Sequence, residues 1–152
     1  MAEIKEQNLI NGVRLYYLNQ IPDERGMVKH FMVDDGSFHF GEAYFSEVYK
    51  GVIKGFHGYT SKMLNYCVPL GMVHLVLWDS RPESRTYNVI NEFHIGEQNY
   101  MRVVIPAGVM NAFRGIADPY SLVAILASEK FDESRTIRME IDDPKIPYKW
   151  TK

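Results

Sequence analysis

Polar and apolar residues alternate along much of this chain, and the alternation comes in short runs. Between residues 85 and 95, Tyr87, Val89, Phe93 and Ile95 share one parity while Asn88, Glu92 and His94 share the other. That is the period-two pattern of a half-buried strand. The run 13–17 reads as a first strand, closed by the turn-prone Pro22-Asp23-Glu24-Arg25-Gly26. The run 27–33 follows and ends at Asp34-Asp35-Gly36-Ser37, short acidic side chains and a glycine that suit turn geometry. Further strands are predicted over 41–47, 51–57, 64–69, 72–79, 85–95, 101–105 and 120–128, with a turn at 96–99. Residues 72–78 are apolar on both parities, which predicts a central strand covered on both faces. Helix is expected only as one turn near 145–148, after Asp142-Asp143-Pro144 breaks what precedes it. Short strands between turns, with no repeat and no linker, predict an all-β sandwich or barrel in a single domain over 1–152.

Composition narrows the function classes. A net charge of −2 gives no global field to recruit nucleic acid or anionic lipid, so neither partner is expected and any anion site must be local. No apolar run approaches the length of a membrane span, and the charged opening Met-Ala-Glu-Ile-Lys-Glu is unlike a leader, so the cytoplasm is the expected compartment. The lone Cys67, between Tyr66 and Val68, reads as a buried packing thiol. Ten tyrosines suit both strands and sugar- or base-stacking pockets.

Histidine titrates near neutrality and is the natural acid–base candidate. His94 falls on the polar parity of its strand and reads as solvated; His30 and His39 sit beside turns; His74, between Val73 and Leu75, reads as a hydrogen-bonded core residue. His57 stands apart, in Lys54-Gly55-Phe56-His57-Gly58-Tyr59. Glycine inside a strand marks a bulge or a close approach to the backbone. Strict alternation puts Lys54 and His57 on opposite faces, whereas a bulge at Gly55 brings both into one cavity. A second polar residue, Asn111, follows the Pro106-Ala107-Gly108 turn within an apolar run, either as a satisfied amide or as a ligand contact. No His-x-His pair occurs, so the ligand set of a metal-dependent oxygenase is missing and no metal or other cofactor is expected.

Taken in order, Asp23-Glu24-Arg25-Gly26, Lys54-Gly55-Phe56-His57, Gly71 through Asp79-Ser80-Arg81, Arg85-Thr86-Tyr87, Ile105-Pro106-Ala107-Gly108 with Ala112-Phe113, Asp142-Asp143-Pro144 and Trp150 resemble the dTDP-4-dehydrorhamnose 3,5-epimerase family. The likeness runs from about Val13 to Trp150. It implies a cupin jelly-roll β-barrel, a homodimer with exchanged N-terminal strands, and a nucleoside-diphosphate sugar bound without metal. It implies His57 as catalytic base, Arg25 and Lys54 as diphosphate contacts, and Asn111 where the family has a second histidine. The family's lysine falls on Leu64, with Lys62 two residues earlier as its substitute. The family's catalytic tyrosine aligns with Lys130, which makes Lys130 itself, Tyr59 and Tyr44, with Tyr66 besides, the candidate replacement acids. The segment that carries the base-orienting aspartate has no counterpart before Lys152. Two readings follow: an epimerase or isomerase of a nucleotide-linked 4-keto-6-deoxy or related sugar in polysaccharide or deoxysugar synthesis, acting at C3 alone or at both C3 and C5, or a catalytically silent nucleotide-sugar-binding cupin.

Overall fold

A computed structural model describes residues 2–151. Thirteen strands form it: β1 (Glu3–Ile4), β2 (Arg14–Tyr17), β3 (Gln20–Asp23), β4 (Gly26–Lys29), β5 (Glu42–Tyr49), β6 (Ile53–Tyr59), β7 (Leu64–Leu70), β8 (Met72–Asp79), β9 (Ile90–Gly96), β10 (Met101–Ile105), β11 (Val109–Gly115), β12 (Tyr120–Ala127) and β13 (Thr136–Arg138). They make a six-stranded sheet in the order β1-β2-β10-β7-β12-β5, a five-stranded sheet in the order β13-β6-β11-β8-β9, and the β3–β4 hairpin. Long crossovers between the two large sheets close them face to face as a jelly roll.

Alternation determines what each strand buries. Leu15, Leu64, Tyr66, Val68, Val103 and Ile125 point inward from the larger sheet, and Leu75, Leu77, Phe93, Ile95 and Phe113 meet them from the smaller one. The smaller sheet is also covered outside, where Phe56, Val76, Trp78, Met110 and Ala112 lie under Ile146, Tyr148 and Trp150 of the C-terminal segment. That cover is why β8 is apolar on both parities. Cys67 is buried on the outer side of β7 beside Tyr100, and burial pushes its thiol up to about 11.

Several boundaries depart from the sequence expectation. β4 stops at Lys29, and Phe31 turns to pack near Cys67 and Tyr100. The expected turn at Pro22 is the end of β3, where a two-stranded hairpin leaves a proline no ladder bond to break. Residues 85–89 form turns around Asp79, with Asn88 at φ 67, so β9 begins only at Ile90. Residues 109–115 form a full strand between β6 and β8. The helical turn is a 3₁₀ turn at Glu133–Arg135, capped by the Asp132 side chain, and 145–148 is irregular. His74 lies on the outer face, not in the core, 2.9 Å from Glu92 and stacked on His94. Among the described residues, no helix is long and apolar enough to cross a membrane.

The Asp79-Ser80-Arg81 motif ties the end of β8 to its loop. The fully buried Asp79 carboxylate accepts from Arg81 Nε at 2.8 Å and from Ser84 Oγ and Thr86 Oγ1 at 2.6 Å each. Burial alone would raise this carboxyl's pKa, but those three donors outweigh it and hold the pKa at about 2. The folded value lies below the unfolded one, so the stabilisation is present above about pH 4 and is lost as pH falls towards 2. Asp79→Asn is expected to cost about 3 kcal/mol at pH 7, since Arg81 loses its buried partner. Urea unfolding at pH 7 and at pH 3 checks this: the gap between variant and parent narrows at the lower pH.

Candidate active site

The site begins with a misalignment between two strands. Asn111 pairs with His57, but the next residue, Ala112, pairs with Gly55, so Phe56 is an extra residue on β6. The bulge reverses parity at that point. Phe56 goes outward to Met110 and Ala112, while His57 turns into the barrel with Lys54 on the same side. Gly55, at φ +132, lies so close to β11 that a Cβ would sit 2.5 Å from that of Ala112 and 2.7 Å from the Asn111 carbonyl oxygen. Only glycine fits there.

His57 and Tyr59 line a cavity of about 610 Å³, completed by Gly55 and Phe56 of the same strand and by Thr136, Arg138, Met139, Glu140 and Asp143. The His57 and Tyr59 rings lie edge to face at 6.1 Å. Behind the imidazole, the Tyr66 hydroxyl lies 3.5 Å from Nε2 and donates to Asn111 Oδ1 at 2.9 Å. Asn111 Nδ2 in turn donates to the His57 carbonyl oxygen at 3.2 Å. Burial, followed by the charges of Arg138, Lys54 and Lys62, pushes the His57 pKa down to about 4. The ring is therefore neutral at physiological pH and available as a base.

The cations are held in different ways. Lys54 Nζ donates to Ser46 Oγ on β5 at 2.9 Å, and its charge disfavours protonation of His57. Arg138 is exposed and forks onto Glu133. Lys62 is buried, and its ammonium has no hydrogen-bond partner among the described residues. It rests 3.9 Å from the Tyr59 ring centroid, a cation–π contact, and burial pushes its pKa down while Glu42, Glu129 and Asp132 oppose the shift.

The other expected residues divide. Tyr59 lines the cavity; Tyr44, half-buried on β5, adjoins it, and burial raises the Tyr44 pKa. Lys130 stands exposed after β12, at a narrow crevice shared with Tyr59 and Lys62. Asn111 is enclosed behind His57 and does not face the cavity. Arg25 caps the β3–β4 hairpin with its side chain 83% exposed, paired to Asp23 at 2.8 Å and outside the cavity. Arg138 and Thr136 were not foreseen, since a short edge strand leaves no mark in hydrophobic periodicity. Asp143 carried a signal in Asp-Asp-Pro, read only as a helix breaker and motif. Among the described residues, no three His, Cys, Asp or Glu side chains are grouped to hold a metal ion.

A jelly-roll barrel whose cavity is lined by a neutral histidine, Tyr59 and Arg138 has the architecture of a cupin-type enzyme. The chain belongs to the dTDP-4-dehydrorhamnose 3,5-epimerase family, whose model matches residues 7–152. It is 30% identical over 146 residues to the spore coat polysaccharide biosynthesis protein SpsL of Bacillus subtilis, covering 93% of this chain and 97% of that one. It is 29% identical over 143 residues to a probable low-salt glycan biosynthesis epimerase, Agl13, of Haloferax volcanii, covering 91% and 88%. The crystal structure of a dTDP sugar isomerase from Desulfovibrio desulfuricans superposes with a TM-score of 0.89 at 33% identity, over 93% of this chain and 92% of that one.

Nuclear magnetic resonance titration of the His57 ring is expected to give a pKa near 4, against about 6.5 for a free imidazole. Lys62→Met removes one of the charges that disfavour the imidazolium, so the His57 pKa is expected to rise; a value unmoved by that substitution would rule out the through-space contribution of Lys62.

Proposed function

We propose that this protein is an epimerase of a nucleoside-diphosphate-linked 4-keto sugar, with His57 as the base. The observation that carries the reading is a neutral imidazole lining a cavity beside Arg138, with the charges of Lys54 and Lys62 near enough to depress its pKa. A ketone at C4 acidifies the C–H bonds at C3 and C5. His57 takes the proton, the C–H electron pair moves into the ring, and the negative charge gathers on O4 of the enolate. A cation or an oriented donor near that oxygen lowers the barrier, and Lys62, whose charge has no bonded partner, suits the role. Reprotonation from the opposite face inverts the centre. Tyr59 is the proposed acid, with Tyr44 next to it to relay a replacement proton. Inversion confined to C3 is expected, because Lys130 stands where the family's tyrosine aligns and a displaced acid serves one centre more readily than two. Lys54 and Arg138 would take the diphosphate, Lys54 as a point charge and Arg138 through its fork.

Arg25 fits the same ligand only from a neighbour. Its hairpin exposes Ile21, Met27 and Val28, and the outer side of β5 exposes Phe45 and Tyr49, which suits a homodimer in which each hairpin crosses to the partner. The proposed setting is the cytoplasm, where activated sugars for polysaccharide synthesis are made.

Solvent-deuterium incorporation tests the reaction. With a nucleotide 4-keto-6-deoxy sugar in deuterated buffer, label is expected at C3, and His57→Asn is expected to slow it by about 10²–10⁴-fold. Binding without label at C3 or C5 would instead identify a silent binding protein. The acid limb of kcat/KM is expected near pH 4, because protonation of His57 removes the base only below its depressed pKa. Mixing Arg25→Ala with His57→Asn chains is expected to restore roughly a quarter of the parental activity if statistical hybrid dimers form with the hairpins exchanged. Activity that stays at the level of the separate variants would place Arg25 in its own chain's site, or outside the site altogether.

A further inference from the structure

The bonds behind His57 determine which of its nitrogens carries the proton. Asn111 Nδ2 lies 3.2 Å from the His57 carbonyl oxygen, an atom that can only accept. The amide must therefore present its nitrogen there and its oxygen to Tyr66. The Tyr66 hydroxyl has one proton, and Asn111 Oδ1, at 2.9 Å, takes it. What the hydroxyl turns towards His57 Nε2, at 3.5 Å, is a lone pair. An N–H there meets an acceptor; a bare nitrogen would meet another lone pair.

We infer that Tyr66 and Asn111 hold His57 as its Nε2–H tautomer, which leaves Nδ1 as the nitrogen with the basic lone pair. Tyr66 is then a positioning residue, and its proton is committed to Asn111, away from the substrate. The relay is neutral throughout, unlike a carboxylate partner, which would raise the imidazole pKa. Both side chains are enclosed, so water does not compete for these bonds: Tyr66 is 1% exposed and Asn111 0%. The relay also starts from the backbone of the residue it orients, so the strand register that turns His57 inward also sets its protonation pattern. The effect on rate rests on His57 being the base; the tautomer does not.

Two-bond ¹H–¹⁵N correlation spectra of the ligand-free protein at pH 7, with His57 identified by its loss in His57→Asn, read the tautomer directly. The parent is expected to show a pyrrole-type Nε2 and a pyridine-type Nδ1. Tyr66→Phe keeps the ring and its edge contact with Phe113 but removes the acceptor, so the two tautomers are expected to mix. Asn111→Ala frees the Tyr66 proton to turn towards Nε2, and the population is expected to move to Nδ1–H. With substrate, Tyr66→Phe is expected to lower kcat by roughly three- to tenfold, the factor of an ordinary net hydrogen bond, with little change in KM. An Nδ1–H parent, or populations that neither variant moves, would overturn the inference. An Nε2–H parent that exchanges no label would leave the tautomer standing and overturn only the catalytic reading.

Discussion

Everything at the site depends on one residue too many in β6. Phe56 has no opposite number on β11, so the alternation that would place Lys54 and His57 on opposite faces is broken between them. Without it, the imidazole would lie under the C-terminal segment and an apolar ring would occupy the cavity. The bulge is sterically exacting: β6 and β11 approach so closely at Gly55 that no side chain fits between Ala112 and the Asn111 carbonyl. A bulge stores little energy, yet it decides which chemistry faces the ligand.

Electrostatics follows from that placement. Once inside, the imidazole is desolvated and surrounded by like-signed groups, and both effects favour its neutral form. A base with a low pKa is intrinsically weak, so its usefulness depends on stabilising the anion it creates. The same cations that depress His57 are suited to that task. Lys62 bears the cost most plainly, since its buried charge has an aromatic face and more distant carboxylates for company but no hydrogen bond.

The architecture was legible because burial imposes period two. β8 reads as doubly covered, and the glycines around His57 make a bulge one of the two readings of β6. The misses have physical causes. Asn111 made an apolar run look interrupted, yet β11 is continuous because that amide finds both its partners inside the barrel. His74 looked like a core residue because its neighbours are apolar, but its side chain lies across the sheet from theirs, against Glu92 and His94. Tyr66 reads from sequence as a candidate acid, because three strands must be in register before its hydroxyl is committed to Asn111. Arg138 reaches the cavity only because β13 adds to the edge of β6, which is information about pairing and not about any local run.

That added edge has a wider consequence. Residues 136–143 form one wall of the cavity while the chain just beyond them, to Trp150, seals the outer core. The histidine stands on the neighbouring strand, β6, and its relay on β7 and β11. On the proposed function, part of the ligand contact thus falls on a piece of polypeptide separate from the one that holds the base. Substitutions along the strap can reshape the space around a sugar while the barrel that governs reactivity stays fixed, which gives descendants of such a scaffold a route to new carbohydrates without reinventing the reaction.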